Sequence, residues 1–441
     1  MLELDARSVK DPLLISESTP ADARLCSNEV FVCSEGSLFT FRYKEQDRTV
    51  RLGRVLFRPQ HGTAGKNMMI IRVKCACLDC HGEHSNCDWQ GKRLVLKIGL
   101  SGENRVSEYK FLDRCRKIAI GEHEWVLNHL PEIHCSFDIP FREYRSRIDT
   151  KKRFQRGFEM RVMRGSIQEE LEPLSSLTTA RECAQVFYDI VQCACHFLCL
   201  IIGHHWLWKY PRILHRNISQ ANIMVREQDG KKYGVLNDWD LAIWLSNTGS
   251  GRPSKLLTGT APYMAHEQQS GFWKGPHRYR HDLESVFYVI LLLTCLYSSL
   301  NQRNPTPPRA PYFYEKWHLK DDAFLRILGP IKRTILSQGD WEPSVTPFFS
   351  GFTIWLDQLH QALRRGLAQF DDHKASKKEA KEAGRGFVKF QEFDEETPGG
   401  YVSYEVFVWT MHSFEDEELE TYGREWQGIL LDRHLQDTPT R

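Results

Sequence analysis

The sequence predicts an α+β fold, a sheet-rich first part followed by a mainly helical second part, and three observations carry this expectation. Between residues 29 and 100, EVFVCSEGSLFTFRYKE, TVRLGRVLFRP, NMMIIRVKCAC and KRLVLKIGL are rich in β-branched and aromatic residues and are separated by glycine-bearing turns. Beyond residue 178 apolar side chains recur at helical spacing over long stretches. The 441-residue chain is 41% hydrophobic and 26% charged, which places it among globular proteins with enough apolar material for a substantial core.

Taken in order, residues 1–28 form an N-terminal extension, 29–165 a strand-rich region, 166–370 a helical region, and 371–441 a charged linker and C-terminal tail. Within the first region the strands give way at 105–128 to a helical spacing of Val106, Tyr109, Leu112 and Cys115, and RGFEMRVMRG (156–165) returns to strand character. The helix that starts LTTARECAQVF has Thr178 or Thr179 as its N-cap. RYRHDLESVFYVILLLTCLYSS is apolar on every face after Ser285, the mark of a buried helix. NQRNPTPPRAPYF (301–313) reads as a surface loop, DDHKASKKEAKEAG (371–384) as a solvated helix or linker, and EFDEETPGGYVSYEVFVWTM is too short for a separate domain.

Composition excludes some functions. A net charge of +2 provides no basic excess for binding nucleic acid by general electrostatics. The first thirty residues lack a basic start followed by an apolar run, so no secretory signal is expected. The thirteen cysteines are then expected as reduced thiols in a cytoplasmic or nuclear protein. FLCLIIG and VFYVILLLTCLY fall short of the roughly 20 residues that span a bilayer, so no membrane partner is expected.

The chemistry-bearing motifs cluster in RILHRNISQANIMVREQDGKKYGVLNDWDLA (212–242). It contains His215-Arg216-Asn217, then Asn222, then Asp238-Trp239-Asp240 after the strand YGVLN, with a hairpin turning at Asp229-Gly230. This order suits a phosphoryl-transfer centre: a residue that orients an acceptor hydroxyl, and two ligands for Mg²⁺. TGTAPYMAHE (258–267) and RHDLES (280–285) follow, with Asp282 placed to hold the backbone of the 215–222 loop. Upstream, Lys97 in LVLKI lies on a strand just before a helical pattern, where a phosphate-binding lysine belongs. Glu108 is its expected ion-pair partner, with Glu122 and Glu124 as alternatives. Gly62 and Gly65 in FRPQHGTAGKNMM offer a partial glycine-rich phosphate loop or a plain turn.

The combination of ILHRNIS, NIM, GVLNDWDLA, TGTAPYMA, HDLESVFYVI and FDEETPGGYVSYE resembles the fungal-type protein kinase family over roughly residues 30–410. The resemblance implies a bilobal protein-kinase-like fold, ATP with Mg²⁺, and phosphorylation of protein Ser/Thr hydroxyls. On this reading Lys97 and Glu108, with Gly62 and Gly65, serve the phosphates. Asn222 and Asp238 hold the metal, and Asn217 stands where the family usually carries the catalytic aspartate.

That last departure divides the functional expectation. An amide oxygen can accept a hydrogen bond but cannot act as a base near neutral pH, so the chain is either a weakened kinase or an ATP-binding pseudokinase that serves as an interaction module for a protein partner. A small-molecule kinase is a third reading, favoured by Ser219 but opposed by the long segment ending in TGTAPYM. Asp240 stands where a glycine is usual. ACHFLCLIIG (194–203) interrupts the family pattern and is either a genuine insertion or translated intron. CACLDCHGEHSNCDW offers Cys75, Cys77, Cys80 and Cys87 with His81 and His84 for Zn²⁺, or a reduced surface hairpin. Ser246, Thr248, Ser250, Ser254 and Thr258 are candidate phosphorylation sites that would pair with Arg216, or polar filler.

Overall fold

The computed structural model describes residues 35–44, 46–58, 68–76, 87–103, 105–140, 161–194, 206–247, 259–269, 273, 275–307, 314–318, 322–382 and 393–422. Both sheets and helices are present, as an α+β fold requires. The chain divides into two units, one of residues 1–109 with 131–170 and the other of residues 110–130 with 171–441.

Unit 1 is built on one antiparallel sheet of β1 (Leu38–Tyr43), β2 (Gln46–Phe57), β3 (Met69–Cys75), β4 (Leu94–Gly102), β5 (Ile133–Pro140) and β6 (Arg161–Glu169), in the order β1-β2-β3-β4-β6-β5. Side chains alternate across a strand, so Phe39 and Phe41, Ile71 and Val73, and Leu94, Leu96 and Ile98 all reach one core. Trp89, Cys135, Met163 and Ile167 complete it. The unit also holds the first residues of helix α1 (Glu108–Ile118).

Unit 2 holds the rest of α1, a sheet of β7 (Glu172–Pro173), β9 (Ile223–Gln228) and β10 (Lys231–Leu236), and the short pair β8 (Ile213–Leu214) and β11 (Ile243–Trp244). Its helices are α2 (Ala180–Ala194), α3 (Trp206–Lys209), α4 (His266–Gln269), α5 (Tyr279–Leu296), α6 (Asp322–Ser337), α7 (Phe352–Glu382) and α8 (Tyr404–Met411). Thr179 caps α2: its Oγ1 accepts from Glu182 N at 3.1 Å, and the Glu182 carboxylate accepts from the N–H groups of Thr178 and Thr179. This reciprocal pairing satisfies N–H groups that the first helical turn leaves open. All 18 residues of α5 are buried, so its all-round apolar character reflects a central position in the unit. No helix among the described residues is long and apolar enough to cross a membrane.

The charged run that begins at residue 371 is helical through Glu382, as the exposed end of α7, whereas Phe352 to Phe370 supply that helix's buried residues. Residues 393–422 pack back into unit 2 through Val402, Tyr404, Phe407, Met411 and Phe414. Their last part runs along α2, where Gln185 and Gln192 both donate to Glu420 O and accept from Glu420 N and Tyr422 N. The segment 194–203 lies outside the described residues except for Ala194, which ends α2.

Candidate functional site

Unit 1 assembles the first group of predicted residues. Leu94, Leu96 and Ile98 of β4 face the core, which puts Val95 and Lys97 on the opposite face. Lys97 stands across from Ser166 of β6, and Val95 across from Gln168, so Lys97, Ser166 and Gln168 share that face. The Lys97 ammonium lies 2.8 Å from Glu108 Oε2, with both side chains under a tenth exposed. Gln168 donates to the other carboxylate oxygen at 2.6 Å and to Ser166 Oγ at 2.8 Å, and Ser166 Oγ lies 3.5 Å from the same carboxylate. Burying two charges is favourable only when each is paired and its remaining polar atoms are bonded; here the two β6 side chains complete the shell around Glu108. Glu122 and Glu124, the alternatives, are exposed in the 3₁₀ segment Gly121–His129 of unit 2. Gly62 and Gly65 lie outside the described residues.

Unit 2 assembles the second group. The β9–β10 hairpin turns at Asp229 and Gly230, both with positive φ (53° and 75°), the signature of a two-residue turn matched to strand twist. Gly234 lies so close to α2 that a Cβ would meet Val186 O at 2.5 Å, so helix and hairpin can pack only with glycine there. Its N–H donates to Asp189 at 2.8 Å and its carbonyl pairs with His129 Nδ1 at 2.8 Å. The strand that leads to Asp238 is thereby anchored on the edge away from β9.

Past the strand, Asn237 N donates to Asn222 O at 2.8 Å and closes the base of the hairpin. Asp238 then takes a left-handed conformation, φ 59° and ψ 70°, which aspartate tolerates better than most residues. Its Oδ2 accepts from Asn217 Nδ2 at 3.1 Å. Thr260 Oγ1 donates to Asn217 Oδ1 at 3.1 Å, and Asn222 Nδ2 donates to the Asn217 carbonyl at 2.7 Å. Asn217, Asn222 and Asp238 therefore form one hydrogen-bonded group, with Thr260 as a fourth member. Both polar atoms of the Asn217 amide are engaged, and neither can accept a proton.

The loop under this group is held from α5. Asp282 Oδ2 accepts from Arg216 N at 3.3 Å, and His277 Nε2 donates to Asp282 Oδ1 at 2.8 Å. Burial opposes the charge on Asp282, but His277, His215 and the Arg216 N–H together hold its carboxyl below the ordinary range. His215 Nε2 pairs with Asn237 O at 3.1 Å, and its ring stands at 84° to Trp239, centroids 5.3 Å apart. The fully buried indole donates to Leu236 O at 2.8 Å. Further along, buried Lys332 donates to Met264 O at 2.6 Å and Ala261 O at 3.2 Å while lying over the Tyr288 and Trp317 rings, which fixes the turn after Thr260.

Other predicted residues occupy less committed positions. Ser219 is buried, with its carbonyl accepting from Asn222 N. Asp240 is half-buried in the 3₁₀ turn Trp239–Leu241. Ser246 lies in another 3₁₀ turn, while Thr248, Ser250, Ser254 and Thr258 lie outside the described residues. So do Cys77, Cys80, His81 and His84, whereas Cys75 and Cys87 are half-buried with sulfurs 3.4 Å apart.

Sequence reasoning missed Ser166, Gln168, Thr260, His277 and Lys332. The polar pair at alternate positions of β6 was a usable signal, since two uncharged polar residues facing the same way as Lys97 mark a polar patch on that side of the sheet. Nothing local marks Thr260 or Lys332, whose partners are 43 and 68 to 71 positions away.

Unit 1 thus carries an ammonium paired with a buried carboxylate, and unit 2 an Asn–Asn–Asp group at a strand-to-loop junction. Residues 90–295 match the family described as fungal protein kinase, a stretch that runs from before Lys97 to the end of α5, so the resemblance read from the motifs holds there. No curated protein matches the chain.

Proposed function

We propose that this protein is an ATP- and Mg²⁺-binding kinase of bilobal fold, unit 1 being the sheet-rich lobe and unit 2 the helical lobe, and that its phosphoryl transfer to protein Ser/Thr hydroxyls is weakened at Asn217. The observation that carries this reading is the buried Lys97–Glu108 pair. A lysine held charged inside a sheet, with its carboxylate partner fully hydrogen-bonded, is costly as packing alone and suits the binding of an anion.

The donor sets fit the expected groups. Lys97 supplies a cation for phosphate oxygens. Asp238 supplies a carboxylate, and Asn222, whose amide nitrogen is bound to the Asn217 carbonyl, keeps its side-chain oxygen available; hard oxygen donors of this kind suit Mg²⁺. Bound there, the metal would neutralise charge on the phosphates. Asn217 orients an acceptor hydroxyl through its amide oxygen but does not take the proton, and losing such a base typically lowers a rate by about 10² to 10⁴.

A pseudokinase reading is favoured by one specific observation: the Asn217 amide bridges Asp238 and Thr260, so it works as a structural brace. The two readings separate in one experiment, calorimetry of Mg·ATP binding combined with transfer to a generic Ser/Thr substrate, for wild type and Asn217→Asp. A weakened kinase binds nucleotide, transfers slowly, and gains about 10²-fold or more on substitution. The variant's carboxylate would stand beside that of Asp238, so its dependence on Mg²⁺ should be steeper than that of wild type. Binding with no transfer by either form would establish the pseudokinase, and no binding would overturn both.

A further inference from the structure

Among the described residues, Cys75 and Cys87 form a polar cluster that phosphoryl transfer does not use. Cys75 ends β3, and Cys87 precedes the turn that leads into β4. Their sulfurs are 3.4 Å apart and both residues are half-buried. Arg48 of β2 reaches the same place: its Nη1 lies 3.9 Å from Cys87 Sγ and 3.9 Å from Asp88 Oδ1, with the guanidinium over the Trp89 ring at 5.2 Å.

The other described cysteines differ. Cys115, Cys135, Cys183, Cys193 and Cys295 are all buried. Burial pushes the Cys135 and Cys295 thiols up to about 12, and it drives those of Cys115, Cys183 and Cys193 upward as well. A thiol that cannot ionise is inert toward oxidants, whereas a partly exposed one beside a guanidinium can become the thiolate nucleophile.

We propose that Cys75 and Cys87 are a redox-active dithiol, which a low-molecular-weight disulfide converts into a cross-link joining the end of β3 to the start of the turn before β4. Cys87, beside Arg48, gives its proton to solvent, and the thiolate attacks one sulfur of the external disulfide. A mixed disulfide forms and the first small thiolate leaves. Cys75, deprotonated in turn, attacks the Cys87 sulfur of the mixed disulfide and expels the second thiolate. The protein loses two electrons and two protons, and the external disulfide is reduced to two thiols. The sulfurs need to close from 3.4 Å to the roughly 2.05 Å of a disulfide bond.

The cross-link ties together two neighbouring strands of the sheet that carries Lys97. Val73 is paired with Leu94, and Ile70 with Lys97 itself. Oxidation therefore fixes the connection between β3 and β4 without touching the Lys97–Glu108 pair.

The test uses the full chain in buffers with increasing ratios of oxidised to reduced glutathione, quenched by alkylation and mapped as non-reduced peptides. The expected result is a Cys75–Cys87 cross-linked peptide, reversed by dithiothreitol, while the five buried cysteines are alkylated only after unfolding. Cys75→Ser should trap glutathione on Cys87 as a mixed disulfide that dithiothreitol releases. Cys75 and Cys87 remaining as separate thiols at every ratio would overturn the proposal. So would a cross-link that pairs either of them with another cysteine, or stoichiometric Zn²⁺ that protects both from glutathione in the protein as isolated.

Discussion

The two groups of predicted site residues are built on opposite principles. In unit 1 a full positive charge meets a full negative one, and two neutral side chains, Ser166 and Gln168, finish the carboxylate's hydrogen bonds. In unit 2 a carboxylate meets an amide, and Asn217 is tied on one side to Asp238 and on the other to Thr260. On the proposed function, the first arrangement keeps a cation for the nucleotide's phosphates. The second replaces a proton acceptor with a brace. On the proposed kinase reading the difference centres on position 217, because Lys97, Glu108, Asn222 and Asp238 keep residue types suited to holding phosphate and metal.

The sharpest way to break this comparison is to remove one charge from the first group. Glu108→Ala leaves the Lys97 ammonium buried without its carboxylate, and we expect a loss of about 3–5 kcal/mol in urea unfolding followed on unit 1. Nucleotide binding should fall with it. If the variant unfolds like wild type, the pair does not hold unit 1 together in the way its burial suggests.

A second measurement contrasts how unit 2 responds to acid. His281 is fully buried at the start of α5; its Nδ1 accepts from Arg278 N at 3.0 Å and its Nε2 faces Glu267 at 3.1 Å. Burial first, then Arg280 beside it, lowers its pKa to about 3. The unfolded chain, titrating near 6.5, then binds more protons than the native one between pH 6.5 and 3. This contribution is present in full above about pH 6.5 and is lost progressively as pH falls toward 3, on the order of 5 kcal/mol in all. Unfolding midpoints against pH should show that limb, and His281→Gln should flatten it. A variant with the wild-type slope would assign the acid response to another group.

The smallest expected effect sharpens the role given to Asn217. Thr260→Val removes the hydroxyl that donates to Asn217 Oδ1 and should cost about 1 kcal/mol of stability, the usual net value of one hydrogen bond. It frees the amide oxygen, so a weakened kinase should keep or slightly raise its transfer rate. A large loss of transfer would mean that Thr260 itself positions the acceptor.

Much of the site was legible because its members sit at fixed offsets along the chain. Asn217, Asn222 and Asp238 are carried by one loop and one hairpin, and Asp229-Gly230 dictates where that hairpin turns, so spacing alone brings them together. Lys97 was legible as a charged residue interrupting an apolar strand. Its partner was less so, because a helix of uncertain start offers several acidic residues; the register that sets Lys97 opposite Ser166 and Gln168 around Glu108 is a property of the assembled sheet.

The sequence by itself determined the strand-rich and helical regions, the buried α5, the hairpin and the substitution of an amide at position 217, since these depend on local periodicity, turn chemistry and residue type. Only the tertiary structure decided that Thr260 takes up the oxygen end of that amide and that Lys332 secures the turn after Thr260. Each of these contacts joins residues whose separation in sequence carries no signal, and such contacts exist only once packing has fixed the backbone on both sides.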